Sequence, residues 1–522
     1  MHDLMHDVAQ EVAGKEIVVA NSTTGSLDQR VQFRRIYFEG NPSDCANRFI
    51  STAQIRTYLQ GGNSWGFQFP LSMQLKKWMN LRALHLRLTK LESLPNDIGK
   101  LLHLRYLDVS ESGLEMPPES LTKLVNLQTL HLNGLDKLRE LPRDLARLVK
   151  LRVLGIAHYR SLNYMPDNMN RMTDLNTLPM CVVAKDDSSM KQQLEDLGAF
   201  NKLKRSLEIR IDKKFVHKKE INSKGGGYIS NKKHLNHIEI MWLCDDEDEN
   251  ESANEEGGTD NAEDLLEDLQ PHNNLKWLRI WQYKGTKIPR WGIKNNLTTC
   301  LPNLVYICIS RCSGLQSLAW PGKLQFLKSL EVRDSGNIKY IEDRIFGWSD
   351  SSTSSHGAAI EVTQQESSLF FPSLESLCSW MLPKVKGWWR GFSTSGLVME
   401  DDEIAACKLW RRIRRGRGYA METLGQCLRF LTLGKLPKVD DLPKGMCYLT
   451  ALQSLKIDCC LLKDLPEWIG CLSSLQSLRI EYCEHLKLLL KALRKLTSLQ
   501  QLELYGCNRI IEKRCQNPNG ED

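Results

Sequence analysis

Apolar residues recur along this chain in one short phrase. Leu81, Leu84 and Leu86 are followed by Leu104, Leu107 and Val109, then Leu127, Leu130 and Leu132, then Leu151, Leu154 and Ile156. The middle members stand 23, 23 and 24 residues apart, and Leu431, Leu455, Leu478 and Leu502 repeat the phrase near the C-terminus at 24, 23 and 24. The last two apolar residues of each phrase alternate with polar ones at period two, which places them on one face of a short strand. One such strand leaves that face uncovered. Stacking the next unit beside it closes the face, so the units support one another in series. Fully burying a leucine contributes roughly 1.5–3 kcal/mol, enough to compete with the ordering entropy once three or more units stack.

A period of this length carrying L-x-x-L-x-L predicts an α/β fold of one kind, a leucine-rich repeat solenoid. The expectation is a curved horseshoe, with a parallel β-sheet on the concave face and short helices and irregular turns on the convex face. Between strands the chain reads apolar-Pro-x-x-apolar, as in Leu94-Pro95 to Ile98, Met116-Pro117 to Leu121, Leu141-Pro142 to Leu145, Met165-Pro166 to Met169 and Leu465-Pro466 to Ile469. A proline opening a helical turn loses no hydrogen bond it would have made. A second ladder, Cys312, Cys460, Cys483 and Cys507, falls three places after Ile309, Ile457, Ile480 and Leu504. A small, weakly polar group there suits the tight turn that leaves each strand.

The pattern divides the chain. Residues 1–25 open with an amphipathic helix (Leu4, Val8 and Val12 on one side) whose apolar face needs a partner. Residues 26–79 hold two strand-like pieces, RVQFRRIYF and QIRTYLQ, as an irregular lead-in and cap, followed by a linker. Regular repeats run over 80–180 and 421–510. The middle, 181–420, keeps strands at Leu207–Ile211, Leu235–Ile240, Leu275–Ile280, Leu304–Ile309, Leu327–Val332 and Leu374–Leu377. Acidic (245–264), Ser-rich (349–368) and basic (385–420) insertions interrupt it. The polar tail, 511–522, is expected to be disordered. The count comes to about fourteen units.

Composition changes this picture little. A solenoid grows by addition, so 522 residues do not imply several domains. The net charge of +7, from 70 basic and 63 acidic residues, argues neither for nor against nucleic acid, and no nucleic-acid partner is expected. Sixteen cysteines would suggest disulfides in a small secreted domain, but here many fall at repeat positions. No basic-then-apolar leader and no run of about 18 apolar residues is present, so neither a secretory signal nor a membrane span is expected. The sequons at Asn21, Asn250 and Asn296 are then idle, and a reduced cytoplasmic setting fits best.

Catalytic motifs are scarce. Gly62-Asn63-Ser64-Trp65-Gly66 matches G-x-S-x-G but lacks the strand before it and the helix after it that a nucleophile elbow requires. Cys308 and Cys312 flank a strand end without a second pair at zinc spacing, so no metal site is expected. No G-x-x-x-x-G-K-[ST] phosphate loop occurs. The acidic run reads as a solvated loop, with attraction of a basic partner as its functional alternative. The cluster Lys408, Arg411, Arg412, Arg414, Arg415 and Arg417 reads as a solvated insertion, with a nuclear-import or anion-binding patch as its functional alternative.

The strand positions that alternate outward are more telling. If Leu278 and Ile280 point inward, Trp277, Arg279 and Trp281 face solvent. His85 and Arg87, His131 and Asn133, Glu331 and Arg333, Lys456 and Asp458, Arg479 and Glu481, and Glu503 and Tyr505 occupy matching places. Aromatic residues and arginine dominate interface energetics, so this strip is the expected protein-binding face of a non-enzymatic chain. Packing of Trp277 and Trp281 beneath an insertion is the competing expectation.

Several segments resemble one family. Met1-His2-Asp3-Leu4-Met5-His6-Asp7, followed by Val8-Ala9, resembles the Met-His-Asp motif closing the nucleotide-binding module of plant disease-resistance proteins of the coiled-coil, nucleotide-binding, leucine-rich-repeat type. The phrases LPNDIGKLLHLRYL from Leu94, LQPHNNLKWLRI from Leu269 and FPSLESL from Phe371 resemble repeats of the same proteins. The resemblance implies intracellular immune sensing: recognition of a pathogen effector or a guarded host protein, and restraint of a nucleotide switch. It also implies that residues 1–25 are a winged-helix remnant in which His2, with Asp3 beside it, would contact bound nucleoside diphosphate. Without a phosphate loop the chain is expected to hold no cofactor by itself. The partners implied are an effector or guarded protein and the nucleotide-binding module of an intact receptor. A repeat scaffold and a ubiquitin-ligase substrate adaptor are the alternatives.

Overall fold

A computed structural model describes residues 17–21, 34–39, 54–61, 71, 75–157, 162–183, 187–212, 227–243, 258–292, 295–318, 324–342, 371–385, 387–389, 424–436, 442, 444–486 and 493–508. Two compact units divide the chain, residues 1–216 with 226–236 and residues 217–225 with 237–522.

In the first unit seven parallel strands lie in sequence order: β1 (Ile17–Asn21), β2 (Arg35–Glu39), β3 (Thr57–Gly61), β4 (Ala83–His85), β5 (Tyr106–Asp108), β6 (Thr129–His131) and β7 (Val153–Gly155). Their register aligns Leu84, Leu107, Leu130 and Leu154, the residues spaced by 23, 23 and 24, and each is fully buried. Strand β1 pairs residue for residue with β2, so Ile17–Asn21 continues the repeat sheet inside the segment expected to be a winged-helix remnant. Strands β8 (Met180–Val183) and β9 (Lys204–Ile211) pair in parallel around helix α1 (Asp187–Ala199). Asp196 and Gln193 of α1 are buried. Asp196 Oδ2 accepts the Met169 N–H at 2.7 Å and Gln193 Nε2 donates to the Met165 carbonyl at 3.0 Å, so the helix satisfies backbone groups of the preceding turn.

The second unit aligns β10 (His234–Trp242, from His237 onward), β11 (Trp277–Trp281), β12 (Tyr306–Ser310), β13 (Ser329–Arg333), β15 (Ser376–Trp380), β17 (Phe430–Gly434), β18 (Ser454–Asp458), β19 (Ser477–Glu481) and β20 (Gln501–Tyr505) in one parallel order. One inward column runs Leu278, Ile307, Leu330, Leu377, Leu431, Leu455, Leu478, Leu502. Strands β14 (Tyr340–Glu342) and β16 (Gly387–Trp389) form a separate two-stranded sheet that the leucine pattern does not announce. Helices α2 (Gly258–Asp268) and α3 (Asn295–Cys300) complete the unit. Helix α2 corrects the expectation that the acidic run is a solvated loop throughout. Glu263 Oε1 accepts the Thr286 and Lys287 N–H groups at 2.9 and 3.0 Å, and Glu267 accepts the Arg290 N–H at 2.6 Å. Carboxylates that cap backbone donors gain more from that pairing than from bulk water alone.

The turns explain the remaining pattern. Proline precedes the 3-10 turns Asn96–Lys100, Glu119–Lys123 and Glu467–Cys471, and its carbonyl accepts the N–H of the inward Ile98, Leu121 or Ile469 at 3.0 Å. At strand exits a small group folds back on the strand's own carbonyls. Cys312 donates to Ser310 O at 3.3 Å, while Cys460 and Cys483 donate to Asp458 O and Glu481 O at 3.4 Å. Thr89 and Ser112 hydroxyls do the same to Leu86 O and Val109 O at 2.8 Å. Burial pushes the Cys312 and Cys483 thiols up to about 12, which keeps them neutral packing groups.

One residue earlier in each exit the backbone is left-handed: Leu88, Glu111, Gly134, Gln282, Arg311, Asp334, Met381, Lys435, Cys459, Tyr482 and Gly506 all have φ between 47° and 63°. The kink aims that residue's N–H at a carbonyl of the next strand, as in Lys435 N to Asp458 O at 2.8 Å and Tyr482 N to Tyr505 O at 2.8 Å. Non-glycine residues tolerate this at a cost of about 1–2 kcal/mol each, which the bond and the stacking it permits offset. Among the described residues no helix is long and apolar enough to cross a membrane.

Candidate functional site

The alternate positions of each strand, opposite the apolar columns, carry the polar and aromatic side chains. In the first unit these converge on Tyr106. Its hydroxyl donates to Asp108 Oδ2 at 3.2 Å, His85 stacks on it at 6.5 Å between centroids, and His131 meets it edge-on at 5.9 Å. Burial, then the Asp108 carboxylate, push the Tyr106 phenol up to about 12. His85 Nδ1 donates to the Gln60 carbonyl at 2.9 Å, which leaves Nε2 facing Asp108 Oδ2 at 3.6 Å. His131 leans over Gly155, where a Cβ would lie 2.4 Å from its Nδ1; the absent side chain is what makes room for the ring. Arg87 pairs with Glu111 at 2.6 Å in the open, a contact worth little by itself. Half-buried Asn133 also staples the exit turn: its Oδ1 accepts the Ala157 N–H at 2.9 Å and its own N–H donates to Ser110 Oγ at 3.1 Å.

In the second unit Trp277 and Trp281 stand on the open face. Trp277 is 43% exposed and stacks between His237 (5.8 Å) and Tyr306 (4.5 Å, rings 25° apart). The Arg279 guanidinium lies 4.4 Å from the Trp281 centroid and that of Arg311 lies 6.0 Å from it. Arg279 Nη1 is 3.3 Å from Glu239 Oε1, and its buried Nε has no hydrogen-bond partner among the described residues. Two strands away, on β13, Arg333 pairs with Glu331 at 2.9 Å. Burial first, then Cys308 and Glu331, push the Tyr306 phenol well above its ordinary range.

Toward β20 the same face is closed by ion pairs. Lys456 Nζ reaches Glu481 Oε2 at 2.6 Å and lies 5.6 Å over the Trp380 ring. Arg479 contacts Glu481 and reaches Glu503 Oε2 at 2.9 Å. The Lys456 hydrogen bond, then that of Arg479, hold the Glu481 carboxyl down at about 2 against the opposing effect of burial. Burial and the adjacent Glu481 raise the Asp458 carboxyl above its usual range. Asp458 and Glu481, read from the alternation as solvent-facing, are only 4% and 6% exposed. Lys456 reaches from β18 over Glu481 of β19, while Arg479 meets Glu481 from the same strand. Tyr505 is 62% exposed, edge-on to Tyr482 at 5.3 Å.

Sequence reasoning missed His237, Glu239, Tyr306, Arg311 and Trp380. Tyr306 and Trp380 hold the register positions of Trp277 and Trp281, so the alternation contained them. Arg311 lies in a left-handed exit turn, where alternation ends and gives no direction. His2, Asp3, the Gly62–Gly66 motif, the acidic segment at 245–257, the Ser-rich stretch, the 408–417 basic cluster and the 511–522 tail lie outside the described residues. Among the described residues no group of three or more His, Cys, Asp or Glu side chains is placed to hold a metal ion.

The family described as a leucine-rich repeat region matches residues 65–394. Disease resistance protein RGA2 of Solanum bulbocastanum is 32% identical over 389 residues, covering 74% of this chain and 34% of its own length. From the same species, RGA1 is 29% identical over 392 residues (74% of this chain, 33% of its own) and RGA4 is 33% identical over 338 (64% and 31%). The chain therefore spans about a third of the length of these relatives. It belongs to the leucine-rich-repeat family, and its repeats are of the type carried by plant disease-resistance proteins.

Proposed function

We propose that this chain is a non-enzymatic, intracellular recognition module of plant defence, whose open strand face binds a protein, either a pathogen effector or a guarded host protein. The observation that carries the reading is the β10–β13 face, where an exposed tryptophan, a stacked tyrosine and three arginines stand together. Rigid aromatics and arginine supply most binding energy at protein interfaces and lose little entropy on contact. On the inward, apolar side of the same strands a small space lined by Leu266, Ile280, Tyr283 and Trp291 has a volume of about 10 Å³, about that of one water. The likeness to disease-resistance proteins supports a second role, in which the first unit docks on a nucleotide-binding module and restrains it.

Proximity labelling in leaf tissue mounting an immune response tests the first role. The wild type is expected to label proteins that the Trp277→Ala/Trp281→Ala variant does not, at an unchanged melting temperature. Identical labelled sets would refute it. Co-precipitation with a family nucleotide-binding module tests the second, and is expected to require residues 1–180. Mapping to 421–510 instead would refute that docking polarity.

A further inference from the structure

The two ends of the second unit's open face differ in how their charges are met. Across β18–β20 two cations, Lys456 and Arg479, face three carboxylates, and every cation is engaged. Across β10–β13 and the exit turn of β12, the described ion pairs of the three guanidiniums are Arg279 with Glu239 and Arg333 with Glu331. Arg311 is exposed and makes no ion pair among the described residues, the Asp334 carboxylate at the exit of the next strand included, and Arg279 keeps a buried Nε–H without an acceptor among them. Both guanidiniums lie over the Trp281 ring, which limits their freedom before any ligand arrives. Trp277 beside them presents exposed ring surface, and aromatic ring edges carry partial positive charge.

We infer that the β11–β13 end of this face takes an acidic segment of a protein partner, with one carboxylate held by Arg279 and Arg311 beside Trp281 and an apolar or aromatic neighbour packed on Trp277 and Tyr306. The inference rests on the reading of this face as a protein-binding surface. It adds the chemistry: the partner supplies a countercharge to Arg311, which makes no ion pair among the described residues, and shares the exposed edge of the Arg279 guanidinium with Glu239. A guanidinium–carboxylate contact of this kind is short, planar and about twice as strong as a neutral hydrogen bond. The self-neutralised β18–β20 end contributes little to it.

Fluorescence anisotropy with three labelled decapeptides tests it on the full chain. One alternates Glu and Asp around a central Trp, one carries Gln and Asn in their place, and one carries Lys. The acidic peptide is expected to bind, to weaken about tenfold or more in Arg311→Gln and in Trp281→Ala, and to be indifferent to Arg479→Gln. Arg311 is exposed, so its variant folds whatever becomes of Trp281→Ala. Equal binding of the acidic and amide peptides, an unchanged affinity in Arg311→Gln, or no binding of the acidic peptide overturns the inference. If the amide or Lys peptide binds and is lost in Trp277→Ala, the protein-binding reading survives without the acidic preference. If no peptide depends on any face residue, both fall.

Discussion

Replacing Lys232 with methionine isolates one buried charge in the first unit. Lys232 has no exposed surface; its Nζ donates to Gly198 O, near the C-terminal end of α1, and to Asn231 Oδ1, both at 3.1 Å. Burial lowers its ammonium from an ordinary 10.5 to about 8. In the folded chain the charged form is disfavoured, so below pH about 8 the fold bears the whole penalty, about 3 kcal/mol for that displacement. Between about 8 and 10.5 the unfolded chain binds more protons than the folded one, and stability rises with pH. Integrated from pH about 7.5 to about 9.5, the gain is about 2 kcal/mol. Urea unfolding of wild type and Lys232→Met across that range, followed by circular dichroism, reads it as the difference between the two proteins. Tyrosines and other groups common to both cancel. The wild type should gain on the variant by about 2 kcal/mol as pH rises; a difference that is flat or falls with pH would refute the assignment of a buried, displaced ammonium.

Other outcomes follow from single contacts. Ser379 occupies an inward position between Val332 and Leu433, is buried, and its hydroxyl has no partner among the described residues; Ser379→Ala should stabilise by about 1 kcal/mol in urea melts. Gly134 has φ +63°, and a Cβ there would lie 3.0 Å from Glu111 Cγ, so Gly134→Ala should cost about 1–2 kcal/mol. Ellman's reagent should modify exposed Cys471 in the folded protein and reach Cys312, Cys460 and Cys483 only on unfolding. Rapid labelling of those three under native conditions would contradict their role as packing groups in the exit turns.

Much of the fold was legible because its information is local and repeated. Leu84, Leu107, Leu130 and Leu154 declare both a strand and its register, since each recurrence finds the same neighbours. The Pro-led turns and the cysteine ladder were legible for the same reason. The outward strip was legible as a direction and not as an exposure. Trp277 is open as alternation implies, whereas Asp458 and Glu481 point the same way and are nearly sealed. Part of the cover of Glu481 comes from Lys456 on the preceding strand, some two dozen residues distant, whose reach no local pattern encodes.

By itself, then, the sequence determined the repeat, its parallel stacking and the residues that fill the interior, because a period of two within a period near 24 leaves one way to bury the leucines. Only the tertiary structure decided which outward charges are spent on one another and which remain available. It also placed the left-handed exits, the β14–β16 pair and the buried Lys232. Charge pairing across strands depends on side-chain distances of a few ångströms, and those exist only once separate repeats stand side by side.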